Sequence, residues 1–343
     1  MQPLLSQKYS RIILAIGVWG CLAQAVPNPA WAVRSEILQR IRQCSETTNY
    51  RGRVEIIWYH EDGPRMRQNS VTFKAPDRAW IERVNDESQG KVICRRDGNY
   101  YERAPGEISF VMKDREYAEN FLAPGYNGVD LAEENYLFVK EGLVTMCERP
   151  ALILKVEADA DNRPWYRAWV DRETGLILKL EKYSEERKLF SYEFLEITIN
   201  LDIPHSLFNI TVNNDKRKNQ YRFFSSVKAM ERELGYPLVR PRFIPDGYLR
   251  KKCRLIINEG YRVAHLLFSN GVSTLSFFQR CAASDADLAL QIGEMKVTEQ
   301  QNMTVVRFRT SKYMFTLIGD LGINQMQRLM QAIQQNAENL ANQ

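Results

Sequence analysis

The feature that most constrains this chain is a series of short strand-like segments, separated by turns, that runs from Gly52 to Ile199. Most segments are rich in β-branched and aromatic residues, and Gly, Pro, Asn or Asp residues lie between them. The predicted strands cover residues 52–60, 67–73, 78–84, 91–95, 99–103, 108–112, 136–140, 151–156, 165–171, 176–183 and 190–199. Because most connections are too short for a crossover, neighbouring strands are expected to pair antiparallel as a meander.

A sheet of this width does not stay flat, because the twist of each strand accumulates across it. We therefore expect it to curl into a barrel or half-barrel, with helices over the open side. Apolar residues at helical spacing predict one covering helix over residues 34–44, and residues 114–122 have a second helical pattern. The predicted fold class is α+β, with an unclosed antiparallel β-barrel and covering helices.

A polar stretch after the strand series predicts a second domain. Residues 213–220 show no hydrophobic periodicity, so we place a linker at residues 211–221. It joins a first domain, residues 33–210, to a smaller α+β domain, residues 222–343. The second domain has 16 basic and 10 acidic side chains, which makes it the basic part of the chain.

The N-terminus has the pattern of a secretory signal. Lys8 and Arg11 precede an apolar run, and Ala30-Trp31-Ala32 offers small residues to signal peptidase. We predict a signal peptide over residues 1–32, cleaved after Ala32, and hence a periplasmic protein. Lipoprotein processing at Cys21 is the alternative, but Trp19 fits poorly in the small-residue stretch that such processing needs.

The mature chain would keep five cysteines, and an odd number leaves at least one thiol unpaired. They are Cys44, Cys94, Cys147, Cys253 and Cys281. Cys253 and Cys281 stand alone in the second half of the chain, so they are the favoured disulfide pair. The alternative, in which all five are buried thiols, is equally compatible with the spacing.

Aromatic residues in the predicted strands fill either a core or the wall of a cavity. In the strand 165–171, alternation places Trp165 and Trp169 on one face and Tyr166 and Val170 on the other. Large apolar groups thus occupy both faces, more than one packed core face requires. The candidate cavity residues are Trp80, Phe110, Phe121, Trp165 and Trp169. Plain core packing stabilises by about 1.5–3 kcal/mol per side chain and already explains most of them.

The sequence shows no catalytic or metal-binding constellation. His60, His205 and His265 are scattered, and there is no nucleophile elbow, phosphate-binding loop or dinucleotide fingerprint. We therefore expect a protein that is not an enzyme and that needs no cofactor or metal.

Basic residues cluster at two places in the second half of the chain. One cluster is Lys216-Arg217-Lys218, and the other comprises Arg250, Lys251, Lys252 and Arg254. An exported protein rarely meets nucleic acid, so we expect an acidic protein partner or anionic lipid head groups as the ligand. A merely solvated surface is the simpler alternative.

Several motifs, in this order, resemble those of a known family. In the first domain they are Asn-Tyr-Arg-Gly at residues 49–52, Val-Thr-Phe at 71–73 followed by Pro-Asp-Arg at 76–78, Trp-Val-Asp at 169–171 leading to Thr-Gly-Leu at 174–176, and the tail at 194–208. In the second they are Pro-Arg-Phe-Ile-Pro-Asp-Gly-Tyr at 241–248, His-Leu-Leu-Phe-Ser-Asn-Gly-Val at 265–272 and Ser-Phe-Phe at 276–278. Together they resemble the MucB/RseB family of periplasmic regulators of envelope-stress sigma factors.

The resemblance implies a fold and a function. The first domain would be a LolA-like half-barrel, similar to the LolA and LolB lipoprotein carriers, with a cavity that senses lipid or lipoprotein acyl chains. The second domain would clasp the periplasmic segment of a membrane-bound anti-sigma factor and so keep the sigma factor captive. The alternative function is a periplasmic lipid or lipoprotein carrier or chaperone.

Overall fold

The computed structural model describes residues 29–85, 89–96, 99–105, 110–112, 129–158, 164–211, 220–240, 243–258, 261–282, 290–300 and 303–341. These residues form two antiparallel sheets and four α-helices. The helices are α1 (Pro29–Thr47), α2 (Val129–Asn135), α3 (Val227–Leu234) and α4 (Ile323–Ala341).

The first sheet has eleven strands, all paired antiparallel. They are β1 (Tyr50–His60), β2 (Gly63–Lys74), β3 (Arg78–Arg83), β4 (Val92–Arg96), β5 (Asn99–Arg103), β6 (Phe110–Met112), β7 (Tyr136–Met146), β8 (Arg149–Ala158), β9 (Trp165–Asp171), β10 (Ile177–Ser184) and β11 (Arg187–Ile199). Their order is β6-β5-β4-β3-β2-β1-β11-β10-β9-β8-β7, so β6 and β7 are the two edges of an unclosed sheet.

The second sheet has seven strands, and two helices pack on it. The strands are β12 (Gln220–Phe223), β13 (Leu249–Asn258), β14 (Tyr261–Ser269), β15 (Thr274–Cys281), β16 (Met295–Gln300), β17 (Met303–Arg309) and β18 (Tyr313–Gly319). Their order is β12-β13-β14-β15-β18-β17-β16. Buried residues of α3 and α4, including Met230, Met326 and Met330, share an apolar cluster with the sheet residues Phe277 and Phe315.

The predicted fold class is confirmed. An unclosed antiparallel sheet with covering helices precedes a smaller α+β arrangement, and each predicted strand of the first sheet is present. The sequence pattern missed α2, which is only seven residues long. The helix predicted over residues 114–122 lies outside the described residues. So does most of the predicted linker, whose last two residues, Gln220 and Tyr221, belong to β12.

The signal peptide stays a prediction, because residues 1–28 lie outside the described residues. Ala32, the predicted cleavage point, falls within α1. In the part of the chain that the structure describes, no helix is both long and apolar enough to span a membrane.

Helix α1 is fixed to the first sheet by the turn between β9 and β10. The buried Asp171 carboxylate accepts hydrogen bonds from Arg149 Nε, at 2.7 Å, and from the backbone N–H and hydroxyl of Thr174, both at 2.8 Å. Gly175 has a φ of 76° and lies against the α1 backbone at Arg40, where any Cβ would collide with the helix. The polar, glycine-ended stretch 171–175 is therefore a docking turn for α1.

Candidate functional site

The two faces of the first sheet have different surroundings. We call the inner face the one whose side chains join the main apolar cluster, such as Tyr166, Leu180 and Tyr192 from three different strands. The outer face carries the alternate residues of the same strands. Helix α1 contributes Ile37 and Cys44 to the inner cluster, so this helix covers part of the inner face.

An aromatic pair beside a cation lies on the inner face where β1 meets β11. Trp58 and Phe190 are cross-strand neighbours with ring centroids 6.1 Å apart, and both are buried. The Arg67 guanidinium lies 5.0 Å from the centroid of the Trp58 ring. The apolar pair is thus packed with a cation over one of its rings, the arrangement of a cation–π contact.

A buried polar network joins the first sheet to the second; we call it the joint. From the first sheet, Lys182 Nζ lies 2.9 Å from Asp320 Oδ2, and the Tyr166 hydroxyl donates to the same oxygen at 3.3 Å. From the second sheet side, the Ser273 hydroxyl donates to it at 2.7 Å. The side chains of Lys182 and Asp320 are only 10% and 7% exposed, so this ion pair is shielded from water.

The loop between β14 and β15 supplies the other half of the joint. The Asn270 side chain accepts hydrogen bonds from the backbone N–H groups of Val272 and Ser273, at 3.2 and 2.8 Å, which fixes the loop. Its amide nitrogen donates to the Tyr136 hydroxyl at 3.0 Å, and Val272 packs against the main apolar cluster of the first sheet. The joint therefore combines the apolar contact of Val272 with buried polar contacts that converge on Asp320 Oδ2.

Helix α2 also takes part in this contact. Asn135, its last residue, donates to the backbone oxygen of Asn270 at 3.3 Å. Gly247, with a φ of 78°, lies so close to Asn135 that a Cβ there would collide with the amide oxygen. The backbone conformation favours glycine at this position, and any larger residue would displace the Asn135 amide from its place.

Trp165 and Trp169, two of the predicted cavity residues, lie on the outer face, and Trp169 also packs against the main apolar cluster. The Trp165 ring stacks on Tyr183 at 4.1 Å, and its Nε1 donates to the Glu185 carbonyl at 2.6 Å. Lys179 Nζ lies 4.9 Å from the centroid of the half-buried Trp169 ring. Strand alternation gives the inner face to Tyr166 and Val170, so a cavity role for Trp165 and Trp169 stays a prediction.

The other three cavity candidates are placed differently. Trp80 packs against a separate small cluster with Ile203 and Phe208, and Arg103 lies over its ring at 5.5 Å. Phe110 is in β6 and pairs with Glu102, but its side chain is not among those described. Phe121 lies outside the described residues. A cavity role for Phe110 and Phe121 stays a prediction.

The structure divides the predicted basic cluster on β13 into exposed and buried members. Arg250 and Lys251 are exposed, at a point where the pairing with β14 shifts by one residue. Lys252 is half-buried and Arg254 is buried. Arg250 and Lys251 are therefore the members of the cluster most accessible to a partner.

Arg254 contacts His265 instead of solvent. Its Nε donates to His265 Nδ1 at 2.7 Å, and the imidazole stacks on Phe278 with centroids 4.2 Å apart. Burial, together with the nearby positive charges of Arg254 and Lys252, lowers the pKa of His265 to about 2. The imidazole is therefore neutral at physiological pH and accepts the hydrogen bond.

The predicted disulfide is not formed. Cys253 is a buried free thiol 3.7 Å from the Met230 sulfur, whereas Cys281 is an exposed free thiol at the end of β15. Strand β14 lies between their strands, so the two Cα atoms exceed the roughly 7 Å that a disulfide allows. Among the described residues, no group of three or more His, Cys, Asp or Glu side chains is placed to hold a metal ion.

Sequence reasoning missed the joint. Its members Lys182 and Asp320 are far apart in the chain, and neither belongs to a recognisable motif. One signal was available: Lys182 follows Leu178 and Leu180 at alternate positions, so it occupies an inward position of β10. A charged residue at a core position indicates a buried partner.

The comparison with known families decides where this fold belongs. The family described as the MucB/RseB N-terminal domain matches residues 34–212, more than half of the chain. The chain belongs to the MucB/RseB family. No curated protein matches the sequence closely enough to be called a relative.

Solved MucB structures have the same fold as this MucB/RseB family member. The Pseudomonas aeruginosa MucA/MucB complex aligns with a TM-score of 0.58 at 16% identity, and covers 86% of this chain and 96% of that chain. A structure of MucB alone aligns with a TM-score of 0.57 at 15% identity, and covers 87% and 96%. At such low identity the likeness establishes the fold alone.

Proposed function

We propose that this chain binds the periplasmic segment of a membrane-bound anti-sigma factor and so controls the release of an envelope-stress sigma factor. The observation that carries the proposal is the extent of the likeness to MucB, which was solved in complex with MucA and covers 86% of this chain. The first sheet spans only residues 50–199, so the alignment must include the second sheet as well. In this proposal the protein acts by binding and not by catalysis.

The exposed part of the basic cluster is the proposed contact surface for that partner. Arg250 and Lys251 lie next to Leu249, and Phe223 and Phe243 are large exposed apolar residues of the same half of the chain. Cations combined with exposed apolar side chains favour a segment that carries acidic and apolar residues.

The joint supports a partner that touches both sheets. Because Lys182 and Tyr166 of the first sheet contact Asp320 in a buried network, a partner can touch both sheets next to this contact. A segment bound to such a surface loses less freedom than one that must first order two separate bodies.

Capture from membranes of the producing cell tests this proposal. Residues 33–343 of the chain, immobilised, should retain a single-span membrane protein, and reversal of charge in Arg250→Glu/Lys251→Glu should reduce its recovery. Lys296→Glu/Lys312→Glu is the matched control, since both lysines are exposed, one on β16 and one in the turn between β17 and β18. Equal recovery with all three proteins, or no single-span protein at all, would favour the carrier function instead.

The acylated ligand is a finer proposal that concerns the inner face. Trp58, Phe190 and Arg67 offer apolar contact beside a positive charge. Trp58→Ala should weaken binding of a fluorescent acyl probe, whereas Trp165→Ala, on the outer face, should leave it unchanged. This inner face is also what favours the alternative function, a carrier of lipids or lipoproteins.

A periplasmic location follows from the same proposal. The N-terminal pattern of Lys8, Arg11 and the Ala30-Trp31-Ala32 site supports export. Protein purified from the periplasmic fraction should begin at Val33. Recovery from the cytoplasm with residues 1–32 still attached would contradict export.

A further inference from the structure

A buried amide lies among the apolar residues of the inner face. Asn69, on β2, is only 1% exposed. It lies directly opposite Val54 of β1, and opposed residues of an antiparallel pair point to the same face. Val54 and Val71, its neighbours on that face, both belong to the main apolar cluster. The Asn69 side chain is therefore part of the inner face and not of the surface.

The side-chain oxygen of Asn69 lacks a hydrogen-bond donor among the described residues. Its Oδ1 is shielded from water, and no described residue forms a hydrogen bond with it. Other polar groups of the inner face are paired: the buried Tyr192 hydroxyl, for example, donates to the Ile177 carbonyl at 2.7 Å. A buried acceptor without a donor is unfavourable, and most buried amides are hydrogen-bonded. The unpaired Oδ1 therefore indicates a donor that a bound molecule supplies.

Two arginines flank this amide on the same face. Arg83 of β3 lies directly opposite Asn69, and Arg67 precedes it by two residues on β2. Both arginines are half-buried. Arg67 also lies over the ring of Trp58, which forms the aromatic pair of the inner face with Phe190. Asn69 thus lies between apolar surface and positive charge, the place where a bound acyl chain would be linked to an acidic end group.

The unpaired acceptor limits the chemistry of that linkage. An acyl chain is joined to its head group through an ester or an amide. An ester offers only acceptors, and it would leave Asn69 Oδ1 without a donor, whereas the N–H of a secondary amide can donate to it. We propose that Asn69 makes the inner face selective for amide-linked acyl chains over ester-linked ones. This inference rests on the proposed binding of an acylated ligand and gives that ligand a chemical class.

Two ligands that differ at a single position test this selectivity. N-Dodecanoylglycine and dodecanoyloxyacetate have the same chain and the same carboxylate, but the first has an N–H where the second has an ester oxygen. Calorimetric titration of residues 33–343, below the micelle-forming concentration of each ligand, should give a dissociation constant about tenfold lower for the amide. N-Dodecanoylsarcosine, a tertiary amide without an N–H, should bind no more tightly than the ester.

Substitutions in β2 separate the amide contact from general apolar binding. Asn69→Leu keeps a similar volume but has no acceptor, so the amide and the ester should bind within about twofold of each other. Asn69→Asp keeps an acceptor and should keep the preference, although its charge should weaken the binding of both ligands. Gln68→Leu is the matched control. It removes an amide from the outer face of the same strand, where Gln68 Nε2 donates to Glu55 at 3.0 Å, and should keep the wild-type ratio of affinities.

The results separate this inference from the wider proposal. Near-ultraviolet circular dichroism shows that each variant has folded. Equal affinity of the wild-type chain for the amide and the ester would overturn the selectivity and leave acyl binding in place. A preference that survives in Asn69→Leu would also overturn the inference, because another residue would then supply the acceptor. Binding of neither ligand would overturn the acylated-ligand proposal together with this inference, and would leave the anti-sigma contact at Arg250 and Lys251 unaffected.

Discussion

The joint and the outer face of the first sheet both contain lysine–carboxylate contacts, yet these contacts contribute differently to stability in the two places. At the joint, Lys182 and Asp320 are shielded from water. The Asp320 Oδ2 atom contacts Lys182, Tyr166 and Ser273 together. On the outer face, pairs such as Lys155–Glu157 are about a third exposed, at 31% and 39%. Burial decides the difference, because an unpaired charge can be hydrated only where water reaches it.

Buried charged residues, and not exposed ones, determine how the two sheets are placed relative to each other. A charged residue on the outer face can lose its partner and still be solvated, so that face tolerates change. A joint residue cannot, because its partner would remain buried and unpaired. We therefore expect the loss of unfolding free energy caused by a substitution to depend more on the burial of the residue than on the number of hydrogen bonds removed.

The largest effect should come from breaking the joint. Asp320→Ala leaves the Lys182 ammonium buried without its carboxylate and should cost about 3–5 kcal/mol of unfolding free energy. Urea unfolding followed by fluorescence would measure it. Lys182→Met/Asp320→Asn removes both charges but keeps an acceptor for Tyr166 and Ser273, so it should recover most of the loss. A loss below about 1 kcal/mol for Asp320→Ala would mean that burial is not decisive here.

The next effect concerns Asp171, the buried carboxylate of the turn that docks α1. Burial by itself would raise its pKa, but hydrogen bonds from Arg149 and Thr174 hold the pKa below its ordinary value. The charge therefore stabilises the fold above the pKa of the unfolded carboxyl, about 4, and this stability is lost as pH falls through the lower folded pKa.

Asp171→Asn should cost roughly 1.5–3 kcal/mol at neutral pH, the usual contribution of a hydrogen bond to a charged group. It should also remove part of the loss of stability in acid. Asp62→Asn, in an exposed pair with Arg65, should change the unfolding free energy little. If both variants behave alike in urea unfolding at neutral and acid pH, the buried turn has no special role.

His265 should make the second sheet sensitive to mild acid. Its folded pKa, about 2, lies far below the ordinary 6.5, because of burial and the charges of Arg254 and Lys252. Above pH 6.5 both states are neutral and the stability is complete. Below that pH only the unfolded chain takes up the proton, so unfolding becomes easier by about 1.4 kcal/mol per pH unit.

Between pH 6.5 and 5 the loss from His265 should reach about 2 kcal/mol. His265→Gln, which does not titrate, should lower this slope, whereas His205→Gln, at an exposed position, should keep it. Unfolding free energies measured across this range give both slopes. An unchanged slope in His265→Gln would contradict the buried neutral imidazole.

The smallest effect should come from the outer face. Lys155 lies over the Trp165 ring at 5.1 Å and pairs with Glu157. Lys155→Ala should cost no more than about 1 kcal/mol, and added salt should shrink the difference from wild type. A loss comparable to that of Asp320→Ala, independent of salt, would remove the distinction between the two regions.

The strands of the first sheet were predictable because their signal is local. Alternation along residues 165–171 correctly separated Trp165 and Trp169 from Tyr166 and Val170. What alternation cannot tell is which face is covered. The outer face holds its aromatic rings under lysine and arginine side chains, so apolar residues on both faces do not by themselves distinguish a cavity wall from rings packed under cations.

The joint was not predictable because it depends on tertiary pairing. Lys182 and Asp320 meet only after both sheets have formed, and hydrophobic periodicity carries no information about that contact. For the same reason, proximity in sequence groups Arg254 with Arg250 and Lys251. In the structure Arg254 is buried, and it donates a hydrogen bond to His265 on the neighbouring strand. The sequence shows where basic residues cluster, but only the burial of each side chain shows whether it can contact a partner.

The proposed function places an anti-sigma segment on the exposed basic surface of the second sheet. Calorimetric titration of residues 33–343 with the periplasmic segment of the single-span protein recovered from membranes tests it most directly. Arg250→Glu/Lys251→Glu should raise the dissociation constant by about tenfold or more, and Lys296→Glu/Lys312→Glu should leave it at the wild-type value. Wild-type affinity in the Arg250→Glu/Lys251→Glu variant, or equal loss in both variants, would contradict the claim.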